Sequence, residues 1–298
     1  GFFVYGNLPM TLTRILMEAA GRDEIGVSKI FARHTAAVAD LFAIFFLYLL
    51  VSRLFGRGVG ALAAGFSSLA VMQIQQSHYF TSDLFVNTFL FLALIFAVGI
   101  VEWKEKSNKQ QITSNEGGGT SDEKQGTSNE DAPVTRISYL VTRYSHLFTR
   151  PLVLLSLAFG FALGMAMASK INAAAMSIVL PFAFFVRWLV HDRHEKLPAK
   201  YWALVVISLI AGRLAAVISF RIFQPYAFDG LLLDKDWIAG ISEQRLQATG
   251  KADLPWNLQW ARRTHLYSFE NLTVWGLGLP LGILAWAGFL FMGWRILK

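Results

Sequence analysis

Apolar runs of about 20 residues constrain this chain most, because a helix of that length crosses ~30 Å of hydrocarbon. The clearest covers residues 36–55 and ends at Arg53 and Arg57. Others follow at about 59–74, 84–101, 151–169, 173–190, 201–223 and 274–296. They predict an all-α, polytopic transmembrane helical bundle of roughly seven spans. Only 16% of the 298 residues are charged and 54% are hydrophobic, whereas soluble domains carry about a quarter charged residues. The net charge of +7 sits mostly beside the apolar runs. That is the membrane pattern rather than a nucleic-acid groove. With no cysteine, disulfides and thiolate metal sites are excluded.

Between the runs, the chain divides by composition. Residues 1–34 hold two amphipathic pieces, 11–20 and 27–33, expected to lie in the interface of a first external loop. Residues 35–103 hold spans separated by a polar loop. TSNEGGG, TSDEKQG and TSNEDAP repeat every seven residues within 104–135, with no apolar seam. This stretch is expected to be a solvated, disordered loop. More spans occupy 136–223. Residues 224–273 form a long polar-aromatic loop, and 274–298 the last span. Ser156, Gly160, Gly164 and Ala168 recur every four residues, a stripe that predicts close helix packing. Most Lys and Arg fall at 53–57, 104–150, 187–200 and 295–298, so that side is expected to be cytoplasmic.

The polar island Gln75–Asp83 stands between two apolar runs and holds two amides, four hydroxyls, an imidazole and a carboxylate. Counting crossings puts Asp83, Lys170, residues 8–33 and the 224–273 loop at one external face. A lysine there can neutralise a phosphate. A carboxylate can take a proton from an incoming hydroxyl or orient an acceptor, so Asp83, with His78 beside it, is the candidate catalytic pair. Gln76, Tyr79, Tyr226, Trp256 and Tyr267 are candidate contacts to a sugar or acceptor. Arg33, Arg221, Arg262 and Arg263 join Lys170 as candidate phosphate ligands.

Each has a plainer reading. Asp83 could cap the following helix, and Lys170 could snorkel. His78 is more commonly a hydrogen-bonded interface residue than a base. The loop arginines are more commonly solvated. Asp83, His78 and His265 could supply ligands to a divalent metal, but no ligand spacing marks such a site. Asp40 and Arg213 fall within spans, where charge is usually paired or faces a cavity.

The stretch FARHTAAVADLF…RLFGRGVGALAAGFSSLAVMQIQQSHYFTSDLF resembles the core of C-type membrane glycosyltransferases, in the protein mannosyltransferase and aminoarabinose transferase group. MAMASKINAAA resembles a turn in those enzymes. RIFQPYAF with NLTVWGLGLPLGIL resembles their phospholipid carrier-dependent branch. The resemblance implies an integral, multi-pass protein of a prokaryotic plasma membrane. It would move a sugar, with inversion, from a polyprenyl-phosphate donor to a protein, lipid or glycan acceptor on the extracytoplasmic face. It also implies that Asp83 matches a second acid, that Lys170 faces the donor phosphate, and that the lead acid stands before Gly1. A transporter or lipid flippase using Asp40 and Arg213, without covalent chemistry, is the competing expectation.

Overall fold

The computed structural model describes residues 6–22, 25–103, 150–192, 199–252, 255 and 263–297. The repeat region and its basic flank, 104–149, lie outside the described residues, as do Trp256 and Arg262. Helix α1 (Leu8–Ala19) is short and carries Pro9 in its first turn, where a missing N–H costs nothing. Helix α2 (Ile25–Phe55) is a single helix of 31 residues. The expected boundary near residue 34 is therefore not a helix end. Residues 27–33 continue directly into the first span, because nothing between them breaks helical geometry. At 1.5 Å per residue α2 is about 46 Å long, more than the hydrocarbon needs.

Helices α3 (Arg57–Ser68) and α4 (Val71–Ser77) follow, then α5 (Ser82–Glu102). Beyond 149 come α6 (Pro151–Ser169), a 3-10 helix Ile171–Ile178 running into α7 (Val179–Arg187), and α8 (Ala199–Phe223). A two-stranded ribbon, β1 (Phe228–Asp229) against β2 (Leu232–Leu233), precedes α9 (Lys235–Ala248). Helix α10 (His265–Glu270) passes through π-helical turns at Asn271–Gly276 to α11 (Leu279–Leu297).

Among the described residues, five helices are long and apolar enough to cross a membrane: Gly26–Phe55, Ser82–Glu102, Pro151–Ser169, Ile171–His191 and Ala199–Phe223. The two other expected spans differ. The run at 59–74 is two helices bent by 64°. The run at 274–296 is interrupted at Gly278, whose φ of 84° suits glycine, and α11 folds back on the preceding turns. Trp286 Nε1 donates to Thr273 Oγ1 at 2.9 Å, and the Phe269 and Trp286 rings lie 4.6 Å apart. Large apolar side chains face outward along α2 (Leu41, Phe42, Phe45), α8 (Ile210, Leu214, Val217) and α11 (Phe289, Leu290, Phe291). Such belts would aggregate in water and are at home against lipid.

Hydrogen bonds fix the direction of the helices. Thr88 Oγ1 donates to Ala39 O and Arg53 Nε to Glu102 Oε2, both across 49 residues, so α2 and α5 run parallel. The α3–α4 pair must then return the chain to the end where α5 starts. Lys170 meets Asp83 and Arg187 meets Ile100, both across 87 residues, so 171–187 also runs parallel to α5. Gly160 lies against Gly212, and Gly164 against Ala216, setting α6 parallel to α8. This is the packing the four-residue stripe predicts. The central core joins α5, α6, α7 and α8 through Ala97, Ile100, Phe159, Leu163, Phe184 and Val205.

The break between α3 and α4 has a polar support. Ser67 Oγ donates to Gln73 Oε1 at 2.7 Å, and Gln73 Nε2 donates to Asp40 Oδ1 at 2.6 Å. Asp40 is buried on α2, and Arg213 is exposed on α8. No ion pair joins them among the described residues. Gln73→Leu should lower stability by about 1–3 kcal/mol, because it strands a buried acceptor. Adding Asp40→Leu should recover most of that loss, as read by thermal unfolding in detergent micelles.

Candidate functional site

Four segments distant in sequence converge at the end of the bundle where α5 begins. Thr81 is extended, and α5 starts at Ser82, so Asp83 lies in its first turn. A carboxylate there meets the positive end of the helix dipole. Lys170 closes α6 with an extended backbone (φ −160°, ψ 119°) before the 3-10 helix begins. Its Nζ reaches Asp83 Oδ1 at 2.7 Å, with both side chains partly buried. The plainer roles considered from sequence are thereby replaced. The Asp83 carboxylate holds an ammonium instead of capping α5, and Lys170 is paired instead of snorkelling.

The chain preceding α1 docks beside this pair. Gly6 N donates to Ser169 O at 3.1 Å. A Cβ on Gly6 would fall 1.8 Å from Ala168 O, so only glycine permits the approach. Asn7 N donates to Gln224 Oε1 at 2.6 Å, and both residues are buried. Gln224 follows the end of α8, which brings the start of the 224–273 segment to the same place. Leu8, Ala168, Phe220 and Ala227 form a small apolar cluster under it. Asn7 Oδ1 and Thr81 Oγ1 are buried here with no hydrogen-bond partner among the described residues. Such atoms call for an explanation, and a ligand with hydroxyl groups would provide one.

Two cavities open at this end. One, of about 560 Å³, lies between α1 and α2 and is lined by Met10, Thr13, Met17, Lys29, Arg33 and Tyr79, with Phe80. Its wall is mainly apolar, and Arg14, Lys29 and Arg33 bring three cations to it. The other, of about 430 Å³, is lined by Arg33, His34, Ala37, Ser77, His78 and Tyr79. Arg33 and Tyr79 belong to both. Of the cations lining the first, Arg14 pairs with Glu18 at 2.6 Å.

The remaining expected residues are less concentrated. His78 follows α4 and is exposed, its Nδ1 2.7 Å from Ile74 O. Gln76 is half-buried and its carbonyl accepts the Tyr79 N–H. Arg221 lies 5.0 Å from the Phe228 ring centre, and Arg263 4.8 Å from that of Tyr267. These cations thus stack on aromatic rings of their own segment. Tyr226 is strongly exposed. Arg262 and Trp256 fall outside the described residues. Among the described residues no group of three metal-ligating side chains occurs.

Sequence reasoning missed Asn7 and Gln224. A single amide at a helix end carries no periodic signal, and only the 217-residue contact between them reveals the pairing. The chain was compared with protein-family models, curated proteins and solved structures, and nothing matches.

Proposed function

We propose that this chain is an integral-membrane glycosyltransferase that moves a sugar from a polyprenyl-phosphate donor to a protein, lipid or glycan acceptor. The observation that carries the reading is the Asp83–Lys170 ion pair at 2.7 Å, where helix ends and the start of the 224–273 segment converge. A donor phosphate can compete with Asp83 for the lysine ammonium. That exchange would free the carboxylate to orient an acceptor hydroxyl or take its proton. The apolar cavity edged by Lys29 and Arg33 suits a prenyl chain that ends in an anion. The loop charges favour the extracytoplasmic side for this end. The test supplies membranes containing the full chain with polyprenyl-phosphate sugars and follows donor turnover. Turnover above that of membranes without the chain is expected, and its absence for every sugar tried would overturn the reading.

A transporter reading draws on a separate observation. The broken α3–α4 pair and the Asp40–Gln73 bond beside the break resemble the discontinuous helices of carriers. Solute uptake into proteoliposomes that requires Asp40, without donor turnover, would select it.

A further inference from the structure

Arg213 stands well inside a membrane-spanning helix and faces out of the bundle. It belongs to α8, whose apolar stretch is bracketed by Lys200 and Arg221. At 1.5 Å per residue, Arg213 lies about 20 Å from the level of Lys200 and about 12 Å from that of Arg221. Among the described residues it makes no hydrogen bond, ion pair or ring contact.

The pattern of α8 puts it there. The face towards α6 carries Ser208, Gly212, Ala216 and Ser219, all buried. Gly160 lies against Gly212, Gly164 lies against Ala216, and Ser219 Oγ donates to Phe161 O. Val206, Ile210, Arg213 and Val217 are spaced by four, three and four residues, so they form one line on another face. The three apolar members of that line are more than half exposed, as are Leu214 and Ile218 beside it. A cation is thus set within a stripe otherwise suited to lipid.

Two common outlets for such a charge do not serve here. Arginines near span ends snorkel to the headgroups. Arg221 stands at that level, stacked on Phe228, but Arg213 is more than two turns deeper, beyond the reach of its side chain. A carboxylate of the same bundle is the other outlet. Among the described residues Asp40 is the one acid in the interior of a span, and it is buried against Gln73. A charge left in hydrocarbon is costly, and intramembrane charges are normally paired.

We propose that this face of α8 docks a transmembrane helix of a partner protein that carries an Asp or Glu at mid-span. The carboxylate would meet the planar donor fork of Arg213, and apolar side chains of the partner would pack along Val206, Ile210 and Val217. Between helices in lipid, polar contacts and packing supply the attraction that the hydrophobic effect does not. A second copy of this chain fits poorly. A twofold pairing of these faces would set Arg213 against Arg213, and Asp40 is already engaged. The docking face stands apart from Asp83, so it holds or fails independently of the transferase reading.

Association with synthetic transmembrane helices in liposomes tests it. The probes are leucine-rich helices with Asp, Asn or Leu at mid-span. Binding is read by energy transfer from a fluorophore on a cysteine introduced into the full chain, which has none of its own. Wild type should bind the Asp helix about tenfold more tightly than the Leu helix, the scale of a polar contact between helices in lipid. The Asn helix should fall between. Arg213→Leu should remove the preference, and Arg213→Lys should keep part of it. Arg213→Leu should also unfold in micelles no earlier than wild type, so a lost preference is not a lost fold. Earlier unfolding would show that Arg213 is engaged within its own chain and would count against the proposal. Equal binding of the three helices by wild type would overturn it, because a lipid phosphate or another part of the chain would then already satisfy Arg213. An Asp preference that survives Arg213→Leu would overturn it as well.

Discussion

On the proposed transferase reading, Asp83→Asn is expected to lower sugar transfer at least about 100-fold while leaving the fold intact, the scale of effect of a group that handles a proton in the transition state. The substitution is nearly isosteric. It removes the charge that Lys170 Nζ contacts at 2.7 Å. Lys170→Gln should act differently. It should raise KM for the polyprenyl-phosphate donor by about 10- to 100-fold, since a hydrogen bond to a charged group contributes roughly 1.5–3 kcal/mol. The double variant separates two roles for Asp83. If the carboxylate only positions the lysine, Asp83→Asn adds nothing once Lys170 is gone. If it also handles the acceptor, the losses combine towards the product of the two. Full turnover by Asp83→Asn would remove this pair from the chemistry, leaving it as a structural link between α5 and α6. Part of the pair is exposed, and exposed pairs contribute little to stability. The fold itself should therefore not depend on it.

Much of this arrangement was legible in the sequence because lipid imposes a simple rule. Counting apolar runs was enough to place Asp83 and Lys170 at one end, and the structure brings them into contact. The small-residue stripe on α6 also met its partner, since close approach needs small residues and little else. What stayed hidden was whatever long-range contacts decide. Nothing at Leu69 or Ala70 marks a break, as neither residue is Gly or Pro. The bend accompanies the Ser67–Gln73–Asp40 chain, which spans two elements. Arg221 and Arg263 looked like phosphate ligands by charge alone, but neighbouring rings engage them.

The other large effect concerns the contact on which the bundle depends. Gly160→Leu is expected to destabilise the protein by about 3 kcal/mol or more, at the upper end of overpacking costs. A Cβ on Gly160 would fall 1.9 Å from Gly212 O and 3.0 Å from the Ala215 Cβ. The obstacle is backbone, so no side-chain rotation relieves it, and even Gly160→Ala must push α6 and α8 apart. Gly164→Ala should follow, with Ala216 O at 2.5 Å. Gly99 offers a graded comparison. There a Cβ would meet Leu155 Cδ2 at 3.2 Å, the mobile end of a side chain, so Gly99→Ala should cost far less. Gly288, with nothing within 4 Å, should tolerate even leucine, provided its helix faces lipid. Unfolding of variants at these four positions in micelles should rank Gly160 and Gly164 well below Gly99, and Gly99 below Gly288. Equal stability across the series would mean that α6 and α8 do not touch along this stripe. Lys170 and Gln224, which stand at the ends of those two helices, would then have no fixed relation. The convergence at Asp83 requires the glycines, and a loosened α6–α8 contact should therefore also weaken donor turnover without any change at the site itself.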